Sequence, residues 1–110
     1  MTDHGDLRPA IEHVLESGEE LHAGARATDA VIAVTDRRVI VAAGNHLTLD
    51  IEFAGLRRIQ FDIEKRRPAT LVLVPELSGH DPQVLAIPAG ELERAAAALT
   101  IVGRRLAALD

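Results

Sequence analysis

The stretch Asp29 to Ala43 reads D-A-V-I-A-V-T-D-R-R-V-I-V-A-A, and its reading decides the fold. Two short runs, Ala30 to Val34 and Val39 to Ala43, carry the β-branched residues that suit a half-buried strand, and the four residues Thr35 to Arg38 separate them. So short a link allows only antiparallel pairing, because a parallel return needs a crossover of roughly a dozen residues. The stretch is a hairpin.

Upstream, residues 6–17 predict a short helix, with Asp6 as cap, Pro9 in the first turn and Leu7, Ile11, Val14 and Leu15 on one stripe, ended by Gly18. A helix this short does not persist alone, so its stripe is expected to dock on the β body. Residues 19–27 alternate, with Leu21, Ala23 and Ala25 on one side and Glu20, His22 and Gly24 on the other. Downstream, the turn dipeptide Gly44-Asn45 leads into a strand from His46 to Phe53 whose Leu47, Leu49 and Ile51 point inward. The next strand sets Ile59, Phe61 and Ile63 in and Arg58, Gln60, Asp62 and Glu64 out. Lys65-Arg66-Arg67-Pro68 links it to a strand from Ala69 to Val74, apolar on both faces and therefore expected to be covered on both. Pro75 to Pro82 is the longest loop, and Gln83 to Ile87 the last strand.

From Gly90 the period changes from two to 3.6, with Leu92, Ala95, Ala96, Leu99, Val102, Leu106 and Leu109 at helical spacing. Glu91 and Glu93 near its start and Arg104 and Arg105 near its end follow the charge order the helix dipole favours. About seven antiparallel strands and one long amphipathic helix predict a mainly β single domain: a bent sheet or partly open barrel, closed by the helix. The expected parts are an acidic leader with a short helix at 1–18, strands over 19–88 and the helix over 89–109. The helix is expected to cover the strand that is apolar on both faces.

Composition narrows the function. The chain has 110 residues and no cysteine, which excludes a disulfide, a thiolate metal site and a cysteine nucleophile and fits a reducing, cytoplasmic setting. No run of about 18 apolar residues is available to span a bilayer, and an acidic M-T-D-H-G-D is unlike a secretory signal. Residues 1–20 hold Asp3, Asp6, Glu12, Glu16, Glu19 and Glu20 against Arg8, which accounts for the whole net charge of -5. A neutral body with an acidic leader lacks the field that nucleic acid attracts, and Phe53 and Phe61 alone make no stacking platform for bases.

Three features resemble the bacterial pleckstrin-homology-like domains, a group that also resembles the GRAM domain. They are the lead-in L-E-S-G-E-E (Leu15 to Glu20), similar to that family's Leu-x-x-Gly-Glu; V-T-D-R-R-V-I (Val34 to Ile40), similar to its apolar-Thr-x-x-Arg-apolar hairpin; and the closing helix. The resemblance implies a seven-stranded, barrel-like sandwich capped by the C-terminal helix, usually non-enzymatic and often of unassigned role. Relatives that bind phosphoinositides crowd Lys and Arg into the loop after the first strand; here that loop, Arg26 to Asp29, holds one arginine and one aspartate, so the headgroup site does not carry over.

The candidate residues follow. Thr35 and Asp36 suit a turn, and Arg38 opens the return strand, its stem along the barrel and its head in reach of a carbonyl or carboxylate, which assigns all three to the hairpin itself. Lys65, Arg66 and Arg67, with Arg57 nearby in sequence, form the dense basic run and are the candidate contact for an acidic partner or an anionic membrane. His4, His13, His22, His46 and His80 have no metal-binding spacing, so no metal and no cofactor is expected. Ser78 and His80 share the long loop without a strand-turn-helix elbow, which makes a poor hydrolase. The expected function is a non-catalytic module for protein contact or self-association, with peripheral binding to anionic lipid through Lys65 to Arg67 as the alternative. The acidic N-terminal helix is the segment freest to be donated to a partner.

Overall fold

A computed structural model of the chain describes residues 7, 9–44, 46–76 and 81–109. Seven strands form two antiparallel sheets. β1 (Leu21–Arg26), β2 (Val31–Thr35), β3 (Arg38–Ala43) and β4 (His46–Glu52) follow one another across the first sheet, and β5 (Leu56–Asp62), β6 (Ala69–Pro75) and β7 (Gln83–Ile87) across the second. The sheets do not close into a barrel. Residues 7 and 9–11 are helical (α1) and run into a 3-10 turn, Glu12–Val14; Asp6, the predicted cap, lies outside the described residues. The C-terminal helix α2 spans Leu92–Ala107 after a 3-10 turn at Ala89–Glu91.

The deciding hairpin is tighter than expected. Thr35 and Arg38 belong to the strands, leaving Asp36 and Arg37 as a two-residue link. β2 and β3 are also buried on both faces rather than one. Inward, Ile32, Val34, Val39 and Val41 join a core built from both sheets and α2, which includes Leu49, Leu71, Leu73, Ala95, Ala98, Leu99 and Val102. Outward, Val31, Ala33, Ile40 and Ala42 join Leu21 and are covered by Leu7 and Ile11 of α1. The N-terminal helix thus docks on its own sheet.

Two irregularities correct the expected alternation. The register of β1 against β2 shifts between Leu21 and Ala23, so Leu21 turns to the α1 side while Ala23 and Ala25 stay in the inter-sheet core. In β4 a bulge at Thr48 sets Leu49 opposite Val41 but Leu47 opposite Ala42. An extra residue in one strand reverses the facing of everything beyond it, so Leu47 leaves the core and is 41% exposed. Ile63 lies past the end of β5 and is 64% exposed, not inward.

Burial also falls elsewhere than expected on β6. Leu71 and Leu73 face the core, but Val72 and Val74 are only half-buried. α2 runs along β1, with a smaller approach to β2 and to the 3-10 turn Phe53–Gly55, and shares the inter-sheet core with Leu71 and Leu73. Its start is tied to β1 where Arg26 donates its main-chain N–H to Glu91 Oε1 at 2.9 Å. On the helix Ala98, not Ala96, completes the buried stripe, and Leu109 lies beyond the last turn.

Gly24 lets α1 sit this close. A Cβ placed there meets Leu7 Cδ1 at 2.6 Å and the Ile32 carbonyl oxygen at 2.7 Å, and the latter is main chain that cannot swing away. Gly24→Ala is expected to cost about 1–3 kcal/mol by overpacking. Chemical denaturation followed by circular dichroism measures it; an unchanged midpoint would show that the helix does not rest on β1.

Candidate functional site

The densest polar arrangement lies where the lead-in meets the deciding hairpin. The Glu19 side chain is fully buried and the Arg38 side chain is 11% exposed. Arg38 donates Nε to Glu19 Oε2 and Nη2 to Glu19 Oε1, both at 2.8 Å, a two-pronged pairing that a planar guanidinium and a carboxylate make well. Its remaining reach goes to the Val14 carbonyl at 2.6 Å and to Asp50 Oδ1 on β4 at 2.8 Å. One side chain therefore joins the 3-10 turn that follows α1, the lead-in, β3 and β4.

Thr35 completes the arrangement. Its hydroxyl donates to Glu19 Oε2 at 2.7 Å and accepts the main-chain N–H groups of Arg37 and Arg38 at 3.0 Å, fixing the two-residue turn. Asp36 accepts the Glu20 N–H at 2.9 Å and returns its own N–H to the Glu20 carbonyl at 3.0 Å, extending the β1–β2 pairing past the strand ends. Glu19 Oε1 also accepts the Glu16 N–H. These bonds stabilise charged forms: the Arg38 hydrogen bonds outweigh burial and lower Glu19 to about 2. Glu19 in turn raises Arg38, and the Glu20 N–H lowers Asp36.

The predicted basic group is not one patch. Lys65, Arg66 and Arg67 are exposed at the β5–β6 turn, where Arg66 has a positive φ of 64°. Arg57 stands at the other end of β5; its strand carries it roughly 17 Å away by the turn, at about 3.4 Å per residue. Arg66 and Arg67 instead line, together with Glu64, Pro68, Pro88, Ala89 and Leu92, a groove of about 460 Å³. Ser78 and His80, the hydrolase candidates, lie outside the described residues.

A second surface has a different character. On β5, β6 and β7 the side chains facing away from the core are Arg58, Gln60 and Asp62, then Val74, Val72 and Thr70, then Val84 and Ala86. No described element covers them, and Val84 is 65% exposed. Sequence reasoning missed this face because Leu71 to Val74 reads as covered on both sides.

No protein-family profile and no curated protein matches the sequence. Solved structures do resemble it. A pleckstrin homology domain from Shewanella amazonensis SB2B superposes with a TM-score of 0.66 at 18% identity, covering 94% of this chain and 98% of that one. A DUF1696 family protein with a pleckstrin-homology domain, from Shewanella loihica PV-4, gives 0.59 at 16% identity over 97% and 96%. The fold is that of the bacterial pleckstrin-homology-like domains: two antiparallel sheets, seven strands and a C-terminal helix, with a short helix at the N-terminus.

Replacing Glu19 with Gln leaves the Arg38 guanidinium buried against a neutral group and is expected to cost about 3–5 kcal/mol at neutral pH. The folded-state value of Glu19 lies below its ordinary 4.5, so its contribution is complete above that value and fades as pH falls from about 4.5 toward about 2. Denaturation at stepped pH should show wild type and Glu19→Gln converging across that window. A gap that keeps its size at low pH would show that the charge on Glu19 is not what stabilises the fold.

Proposed function

We propose that this chain is a non-catalytic, cytoplasmic binding module of the pleckstrin-homology-like kind that works by protein contact, contact with its own copies included. The strip of Val84, exposed, with half-buried Val72 and Val74 beside it on the outer face of the second sheet supports this most directly, since apolar side chains gathered on one face favour a partner over water. Glu19, Asp36 and Arg38, each shifted toward its charged form, are bonded within the lead-in and hairpin, where they fasten the fold.

Exposed Ile63 favours a second reading, because it shares the β5–β6 turn with Lys65, Arg66 and Arg67 and an apolar tip among cations suits an anionic membrane surface. The net charge of -5 opposes it. No helix among the described residues is long and apolar enough to cross a membrane.

Light scattering on the purified chain, with refractive index for concentration because Trp and Tyr are absent, should give a mass above 11.8 kDa, or affinity capture from the source cell should recover a stoichiometric partner. A monomer that recovers nothing would sink the reading. Vesicles with and without phosphatidylserine should float the protein equally poorly; salt-sensitive flotation lost in Arg66→Glu would install the membrane reading instead.

A further inference from the structure

We infer that the outer face of the β5-β6-β7 sheet is a homodimer face, occupied by the same face of a second copy; this deepens the self-contact reading above and rests on it. Register orders this face into rows. Gln60, Val72 and Val84 lie side by side in the middle; Arg58 and Val74 lie to one side, and Asp62, Thr70 and Ala86 to the other. The residues between them, Ile59, Phe61, Leu71, Leu73, Leu85 and Ile87, belong to the inter-sheet core or pack on it, so alternation sends these rows outward.

The face is complementary to itself. Two copies laid face to face about a two-fold axis that follows the middle row bring Val72 over the partner's Val72 and Val84 over the partner's Val84. The same rotation sets Arg58 over the partner's Asp62, and symmetry repeats that charge pair at the other end. An axis along the strands would set β5 over the partner's β7 and leave both charges unmatched. Gln60 Nε2 donates to Asp62 Oδ2 at 3.0 Å, which holds the carboxylate on this side of the strand. A strip of apolar side chains between opposite charges thus specifies one occupant and one orientation.

The face is small. Three strands about 4.8 Å apart and five residues of about 3.4 Å rise make it roughly 14 by 17 Å, well under the roughly 800 Å² per partner of a standard interface. The dimer is therefore weak, and its exposed charge pairs make it salt-sensitive.

Sedimentation velocity on the full chain, read by interference optics across a range of concentrations, tests this. The mean mass should rise from 11.8 kDa toward twice that at low salt and fall back at high salt. Val84→Glu should remain monomeric with an unchanged thermal melt. Arg58→Asp and Asp62→Arg each place like charges over one another and should each weaken association roughly tenfold. An equimolar mixture of the two should restore it, because every pairing in the mixed dimer is again opposite in sign. A monomer at all concentrations, or a mixture that fails to associate, overturns the face. Association that survives Val84→Glu and both charge variants also overturns it while leaving self-contact standing; a monomer that captures a different protein overturns it and leaves only contact with another protein; a monomer that captures nothing sinks both readings.

Discussion

The buried pair between Glu19 and Arg38 is the constraint to which the rest of the first sheet is referred. Taking both charges out of water is costly, and the arrangement is tolerable because nearly every bonding position is occupied: Thr35 and the Glu16 N–H on the carboxylate, the Val14 carbonyl and Asp50 on the guanidinium. The consequence is geometrical. Arg38 pairs with Glu52 in β4 while its head group holds the lead-in and the Val14 carbonyl, so the 3-10 turn after α1, the turn of the hairpin and the far strand are fixed relative to one another.

Much of this was legible in the sequence. Period-two runs with short links identify the strands, and the change to period 3.6 identifies α2, because each element repeats its pattern often enough to be recognised. The hairpin residues Thr35, Asp36 and Arg38 could be read from turn chemistry, and Arg38 could be expected to reach a carbonyl or carboxylate. Which carboxylate could not. Glu19 stands among five other acids in the first twenty residues, and only the fold singles it out as the buried one. The signal that could have found it is the Gly-Glu of the lead-in, whose match to the hairpin's Thr-x-x-Arg becomes a contact once the strands align.

The misreadings share one cause. Facing is set by register, and register shifts at His22 and Thr48 are invisible in a one-dimensional pattern, so Leu21 and Leu47 face opposite to their apparent alternation. Coverage is likewise decided by which element docks where. α1 covers the outer side of β2 and β3, whereas α2 lies along β1, and among the described residues Val72 and Val74 on the outer side of β6 are only half-buried. The middle strands of the first sheet, β2 and β3, are consequently enclosed on both faces, while β4 at its edge stays largely exposed.

The position of the Glu19–Arg38 pair along the chain also imposes a timetable. All four strands of the first sheet, the pair itself and the helix that covers its outer side lie within the first 52 residues and pair with sequence neighbours, so loop closure is cheap and this half can assemble while the remainder is still being made. Its other apolar side, with Ile32, Val34, Val39, Val41 and Leu49, must then wait for β6, β7 and finally α2, which follow it in chain order. Until that helix arrives the nascent chain carries an open hydrophobic surface, and in that interval it is most vulnerable to misassociation.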